Sequence, residues 1–566
     1  MSKRRNDDEL PKSTAPKRPR ATRSEHISDK FDHLSALSNE VLLHILSFLP
    51  IPSLLTCQRL SRRFYDLAGD SELWKRQYFS KWVRPRARRL AISRCTSFPS
   101  LKLEYSPRVS TWLDHGHLDR SDRITDWKRQ YQLRHNWSKG ICRVTEVEIP
   151  QPRKSPILIA FCAGFVFTAD LHGGLRVWSS ESPHACKAGF PLEDSKTHAM
   201  STPTALTATC GSEKSYIEVA VGFDDGRFRT YKMDTTRLWM EERSCSNSTC
   251  GAITAMSSSY PYLLVISKHM VLSLYKMPLE LPGTSWPDDV HLVASLKADS
   301  ILSPMSLSVR LAGSEIIASI VYSFFRLGCG WSLGIQELRF DEAGLQIDSR
   351  LTTTVDTQYG VAHLHNFPGI KHGQSSTTQD EDSTCVSRSS ARDPTILHQD
   401  PPTSVSYSHP YLLTSHADNT LTVYLLVSTS DRLFVKGGQR LWGHTSSVSA
   451  VQVSDRGKAV SVSSRGDEVR IWELESLISS FGSHKVSQGD KSIKVKPENQ
   501  RCSRSGAIES FPGDRRHEID RARSPSLVIP NKFPQERGCI GFDEERLLLL
   551  REREYGTQLL EFYDFS

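Results

Sequence analysis

The chain of 566 residues has no CxxC pair among its twelve cysteines. Cys57, Cys95, Cys162, Cys329 and Cys539 are scattered, and Cys245 with Cys250 finds no matching second pair. Zinc sites draw on closely spaced Cys and His pairs, so no metal centre is expected. No apolar run approaches the ~20 residues of a membrane span. The opening MSKRRNDDEL lacks the apolar stretch of a secretory leader, so the chain is read as intracellular and soluble, with reduced thiols. A large excess of one sign of charge is lacking as well. A net +8 is modest at this length, so a nucleic-acid partner is not demanded. Also missing are a GxxxxGK[ST] loop, a GxSxG elbow, an HExxH helix and a GxGxxG after a strand. Histidines such as His33, His115, His117 and His291 are dispersed. No catalytic residue and no cofactor is expected.

What is present begins with Leu34–Trp82. From Ser38 to Leu49, apolar side chains at Val41, Leu42, Ile45, Leu46 and Leu49 follow the spacing of one helical face. Ser38 or Asn39 is placed to cap it, Glu40 suits the positive end of the helix dipole, and Pro50 and Pro52 stop it. A second helix carries Leu54, Cys57 and Leu60 into Arg62, Arg63, Phe64 and Tyr65. Asp70 is placed to cap a third bearing Leu73, Trp74 and Tyr78. Three short helices bury little core, yet Leu43 and Phe48 add further apolar surface. The surplus points to a docking surface for a helical partner, or to a cap on the next domain.

This stretch resembles an F-box. Leu37-Ser38-Asn39-Glu40 stands for its Leu-Pro-x-Glu opening, followed by Ile45, Leu49-Pro50, Cys57-x-x-Leu60-Ser61 and Leu73-Trp74-Lys75. Ser38 replaces the usual proline, and Phe64-Tyr65 stands where a tryptophan or tyrosine is typical. The resemblance implies docking on a SKP-family adaptor through Leu37, Val41, Leu42, Ile45, Leu46, Leu49, Pro50, Leu54, Cys57, Leu60 and Tyr65.

Residues 1–30 are polar and charged, and disorder is expected there. Lys3-Arg4-Arg5 and Lys17-Arg18-Pro19-Arg20 resemble a bipartite nuclear import signal, which would place the protein in the nucleus, with the cytoplasm also open. Residues 83–139 form a connector. Its Lys81–Arg94 run reads as a solvated face, and its Asp126–Gly140 resembles the link into the propeller of F-box/WD-repeat proteins. There Trp127 and Trp137 are expected to pack on the first blade.

From Gly140 onward, short strands alternate with Gly, Asp, Asn and Ser turns. Seven units share one grammar. The best, Leu441–Leu474, has Gly443-His444 before its first strand and Ile471-Trp472 closing its third. Gly466 occupies the usual turn Asp position, so the His–Ser–Asp–Trp hydrogen-bond set is expected to be incomplete. His444 reads as a structural residue at a blade edge. The last unit has no chain left for a fourth strand, and Cys142–Ile149 is unassigned, so the two chain ends would complete one blade and remove free edges. Residues 140–566 thus resemble a WD-repeat β-propeller of seven blades, with six an alternative. Insertions at 372–402 and 475–537 are expected to be disordered. The second contains the SUMO-acceptor pattern Val495-Lys496-Pro497-Glu498 and the proline-directed phosphosite Ser524-Pro525.

The fold class is therefore α plus all-β multidomain, an F-box at 31–82 followed by the propeller. It resembles the substrate receptors of SCF ubiquitin ligases. By that resemblance the adaptor brings cullin and RING subunits, the propeller holds a protein substrate for ubiquitination and proteasomal degradation, and the chain itself performs no covalent chemistry. Two alternatives stay open: a nuclear WD-repeat scaffold without ubiquitin transfer, and nucleic-acid binding through the basic segments. No matched set of Arg or Lys announces a phosphate-reading pocket, so the substrate stays unknown.

Overall fold

The computed structural model describes residues 34, 36–84, 126–149, 157–180, 186–192, 201–211, 215–247, 251–277, 290–297, 302–355, 396–429, 432–464, 468–474, 492–497, 540–552 and 558–566. The import-signal residues Lys3, Arg4, Arg5, Lys17, Arg18 and Arg20, together with Ser524, lie outside them. The chain divides into two compact units, Met1–Gln77 and Tyr78–Ser566.

The first unit is helical: α1 (Asn39–Leu46), α2 (Ile51–Cys57), α3 (Arg62–Ala68) and α4 (Ser71–Tyr78). The single helix expected from Leu54 to Tyr65 is in fact two. Ser61 ends the first by capping the second, its hydroxyl accepting from the Phe64 N–H at 3.3 Å. Ser38 holds the N-cap position of α1 in extended conformation but makes no side-chain cap. Asn39 Oδ1 instead accepts from the Arg63 guanidinium at 2.8 and 3.0 Å. Asp70 caps α4 as expected, accepting from the Glu72 N–H at 2.9 Å.

The second unit starts with a π-helical turn, Phe79–Val83, and α5 (Trp127–Lys139). Asp126 caps α5 by accepting from two backbone N–H groups, and Gly140 ends it at φ 67°. A Cβ at Gly140 would lie 2.5 Å from the Lys494 carbonyl oxygen, so both the turn and the strand that crosses it require glycine. Tyr78, Phe79, Trp82, Trp127 and Tyr131 form a chain of ring contacts 4.7–5.6 Å apart. The Trp127 ring thus packs on Tyr78 and Phe79.

Twenty-nine strands follow, in seven sheets among the described residues. β1 is Ile141–Ile149. Blade 1 runs from β2 (Leu158–Cys162) through β3 (Phe165–Asp170) and β4 (Gly174–Ser179) to β5 (Cys186–Phe190). Blade 2 has β6 (Pro203–Cys210), β7 (Tyr216–Phe223), β8 (Arg227–Asp234) and β9 (Trp239–Asn247). Blade 3 has β10 (Ile253–Ser259), β11 (Tyr262–Ser267), β12 (Val271–Lys276) and β13 (His291–Lys297). Blade 4 has β14 (Pro304–Ala312), β15 (Glu315–Arg326), β16 (Gly330–Phe340) and β17 (Gln346–Thr353). Blade 5 has β18 (Ser404–Ser408), β19 (Tyr411–Ser415), β20 (Leu421–Ser428) and β21 (Leu433–Leu441). Blade 6 has β22 (Val448–Val453), β23 (Lys458–Ser463), β24 (Val469–Glu473) and β25 (Ile493–Lys494). Last come β26 (Lys496–Pro497), β27 (Ile540–Phe542), β28 (Arg546–Glu552) and β29 (Gln558–Asp564).

Each blade is an antiparallel meander whose first strand touches the first strands of both neighbours, closing a ring around the axis. Inner strands such as β11 and β19 are buried along their whole length because adjacent blades cover both faces. The seventh sheet closes as the chain ends require. β29 pairs antiparallel with β28 on one side and with β1 on the other, Val144 opposite Tyr563 and Val147 opposite Leu560. With both chain ends in one sheet, the blade count is seven.

Two expectations change. Ser492–Pro497, placed in a disordered insertion, is structured: β25 supplies the fourth strand of blade 6, and β26 pairs parallel with β1. Val495 between them is buried with Leu133, Trp137, Leu547 and Phe565. The hydrophobic residue of the SUMO pattern is thus a core residue, and the Lys496 N–H donates to the Gly140 carbonyl at 2.7 Å. Trp137 likewise packs on the closing blade. Its ring stacks 3.8 Å from Phe565 and its indole N–H donates to the Glu544 carbonyl at 2.7 Å. At the other insertion, Ile396–Pro402 is described and leads into β18, with His398 bridged to Gly330.

Candidate functional site

The candidate surface on the helical unit follows from the geometry of α1. At 100° per residue, Leu42 and Leu46 face one way, whereas Val41, Ile45 and, one turn on, Phe48 fall on a separate stripe. Leu42, Leu46 and Leu54 are buried with Leu67, Ala68 and Leu73, and Leu37, Leu43, Leu49, Ile51, Cys57 and Phe64 pack partly buried around them. Burial on this scale stabilises the unit by ~1.5–3 kcal/mol per large side chain. Leu42, Leu46 and Leu54 were expected at the adaptor surface, yet they hold the interior and present no surface to a partner.

The remainder divides cleanly. Val41, Ile45, Leu60 and Tyr65 are exposed, Leu60 by 66%. Pro50 is exposed, whereas Leu37, Leu49 and Cys57 are half-buried. Phe48, 68% exposed, and Leu55 join the outer set and were not among the expected contacts. Phe48 is held from two sides: His44 meets its ring edge-on at 5.0 Å, and the Arg76 guanidinium lies 5.7 Å from its centroid. The signal for Phe48 was the i+7 position from Val41, which counts as one stripe only if the turn after Leu46 continues. It does, through backbone bonds from Phe48 to Ile45 and Leu49 to Leu46. A unit with a satisfied core therefore carries Val41, Ile45, Phe48, Leu55, Leu60 and Tyr65, together with Leu34, as large apolar side chains on its outside.

In the propeller the fullest side-chain hydrogen-bond set, around His444, Ser461 and Trp472, holds strands together. Trp472 Nε1 donates to Ser461 Oγ at 2.8 Å, which leaves the Ser461 proton for His444 Nε2 at 2.6 Å. His444 Nδ1 lies 3.5 Å from Glu468 Oε2, and the Thr445 N–H donates to the same oxygen at 2.9 Å. Glu468 thus stands where the turn Asp is missing, bonded to Thr445 and at ion-pair distance from His444, so the hydrogen-bond set stays incomplete as expected. Glu468, two residues past Gly466, reaches back with its longer side chain. Burial works against its charge, but the Thr445 N–H and the Arg470 guanidinium outweigh that and bring its pKa down to about 2. Blade 1 keeps only the Trp178 to Thr168 bond, at 3.1 Å. Among the described residues no three His, Cys, Asp or Glu side chains are grouped to hold a metal ion.

An F-box-like stretch followed by a propeller is also what the comparisons return. The family profile described as "F-box protein pof12 beta-propeller" matches residues 142–566, and one described as "F-box-like" matches residues 36–80. The chain belongs to the pof12 β-propeller family. The F-box protein pof12 of Schizosaccharomyces pombe (strain 972 / ATCC 24843) is 22% identical over 454 residues, covering 78% of this chain and 84% of that protein. The F-box protein dre-1 of Caenorhabditis elegans is 44% identical over 50 residues, covering 9% of this chain and 5% of that protein. Among solved structures, the computationally designed Ika8 protein matches with TM-score 0.34 and 12% identity, over 73% of this chain and 98% of that one. A likeness of that size carries no argument. The pof12 match covers most of this chain, whereas the dre-1 match is local.

Proposed function

We propose that this F-box protein is the substrate-receptor subunit of an SCF-type ubiquitin ligase. The helical unit docks on a SKP-family adaptor through Val41, Ile45, Phe48, Leu55, Leu60 and Tyr65. The adaptor links it to cullin and RING subunits, and the propeller holds a protein substrate so that its lysines meet the E2. The chain supplies position and not covalent chemistry. The observation that carries the reading is the outer apolar set on a unit whose own core is already filled. Exposed groups of this size cost solubility unless a partner covers them. A nuclear site of action rests on the basic clusters of the tail alone.

The test compares Ile45→Asp with Phe48→Asp and with Leu46→Asp in the full chain. The first two remove surface contacts and are expected to abolish capture of adaptor and cullin while helical circular dichroism is unchanged. Leu46→Asp is expected to lose the helices themselves. Adaptor captured without cullin would favour a scaffold that does not transfer ubiquitin. Undiminished adaptor binding by Ile45→Asp and Phe48→Asp would overturn the docking surface.

A further inference from the structure

Blade 4 is longer than its neighbours. β14 reaches only as far as Tyr322 of β15, and β17 only as far as Gly334 of β16. Beyond those points β15 and β16 continue as a two-stranded overhang, pairing Ser323–Arg326 with Gly330–Leu333. The hairpin turn that tips it lies on the propeller face where second strands hand over to third strands. Fourth strands end on that face and first strands begin there, so Trp442 after β21 and Leu397 before β18 are on the same side.

The overhang is apolar where a solvated hairpin would be polar. Leu327 at its tip is 91% exposed and Phe325 is 58% exposed, with Phe325 meeting Trp331 edge-on at 5.9 Å. Contacts carry the patch across to blade 5. The Trp331 N–H donates to the His398 carbonyl at 2.9 Å, and Arg440 Nη2 donates to the Leu397 carbonyl at 3.0 Å. The Arg440 guanidinium also lies 5.8 Å from the Trp442 ring. Leu397 and Trp442 are themselves 52% and 54% exposed. The stretch Ser323–Leu333 contains a single charged residue, Arg326, which is exposed. On blade 5, Asp418 accepts from Thr420 and lies 3.9 Å from Arg440, so its charge is already matched. At the hairpin end the exposed charge is the positive one of Arg326, and the exposed Asp400 stands three residues beyond Leu397.

We propose that Phe325, Arg326, Leu327, Leu397 and Trp442 form the surface on which the propeller takes an extended peptide with bulky apolar side chains beside a carboxylate. Aromatic and aliphatic anchors supply the contact area, and the Arg326 guanidinium selects the acidic residue. The surface rests on the substrate-receptor reading only for what the peptide belongs to, namely a protein to be ubiquitinated.

The probe is a displayed library of short unstructured peptides selected on the full chain, with the winners resynthesised and their Kd measured by fluorescence anisotropy. Selected sequences are expected to pair Leu, Phe or Trp with Asp or Glu. Their affinity should fall roughly tenfold or more on Phe325→Ser and on Trp442→Ser. Arg326→Glu should erase the preference for the acidic residue. Leu351→Ser, on the outer strand of the same blade, should leave binding intact. Winners without acidic residues, winners indifferent to these variants, or no winners would each overturn the surface. Binding seen only after residues 356–395 are removed would assign the face to the chain itself. Adaptor capture by the same chain is read separately. Peptides selected by a chain that binds no adaptor would keep this surface and remove the ligase, and adaptor binding without peptides would do the reverse.

Discussion

At the scale of residues, buried groups in the propeller differ in charge yet make the same demand on pH, since each has its pKa lowered in the fold and loses stability as pH falls. Glu468 is ionised and needs its partners. Replacing it with alanine strips Arg470 and the Thr445 N–H of their acceptor and is expected to cost about 3 kcal/mol. Glu468→Asp, one methylene shorter, cannot reach both and is expected to cost ~1 kcal/mol. Thermal unfolding of the two variants would show that order, and equal losses would mean that the carboxylate has no reach requirement. The stacked rings of His398 and His416, 3.7 Å apart, are the converse case. Burial, with Arg440 beside it, brings His398 down to about 4, and burial with the neighbouring His398 brings His416 to about 3. Both stay neutral in the folded chain at pH values where an unfolded histidine is charged. The unfolded state therefore binds more protons, and stability falls as pH drops from 6.5 towards 4. Each ring contributes up to ~1.4 kcal/mol per pH unit in that window. A double His398→Gln, His416→Gln variant should lose less of its thermal midpoint between pH 6.5 and 5 than the parent does. Parallel curves would show that the pair does not titrate with unfolding.

At the scale of elements, Ser492–Pro497 carries most of what composition concealed. Val495-Lys496-Pro497-Glu498 reads as a modification site because such patterns are judged on extended, accessible chain. In the fold Val495 is a core residue and the strand beside it is paired. SUMO conjugation at Lys496 is therefore expected to fail on the folded chain and to appear on a peptide of the same sequence. Mass spectrometry after reaction with the conjugating enzymes separates the two, and modification of the folded chain at Lys496 would mean that β26 opens readily. The same physics explains what was legible. Strands with period-two patterns and Gly or Asp turns announce themselves locally, so seven units and the joining of the chain ends could be read from sequence. A two-residue strand such as β25 has no period, and its place is fixed only by the edge it meets. The helical unit repeats the lesson. Apolar spacing identified α1, but Leu42 and Ile45 look alike in one dimension, and only packing against α2 and α3 tells the inner from the outer.

At the scale of the whole molecule, the two units rest on different kinds of closure. The helical unit is held by local contacts around Leu42, Leu46 and Leu54. The propeller depends on the most distant strand pairing among the described residues, β1 against β29, which joins Arg143 to Asp564. Without β29 the seventh sheet loses the strand that links β28 to β1, and the ring of first strands has an open edge on each side of the gap. Ending the chain after Thr557 is therefore expected to unfold the propeller while sparing the helical unit, because among the described residues of Met1–Gln77 no strand takes part in the ring. Limited proteolysis should digest the region beyond Gly140 rapidly in the truncated chain, and adaptor capture should persist. A protease-resistant propeller in that chain would show that six blades suffice for closure. Loss of adaptor capture would show that the helical unit needs the propeller to fold.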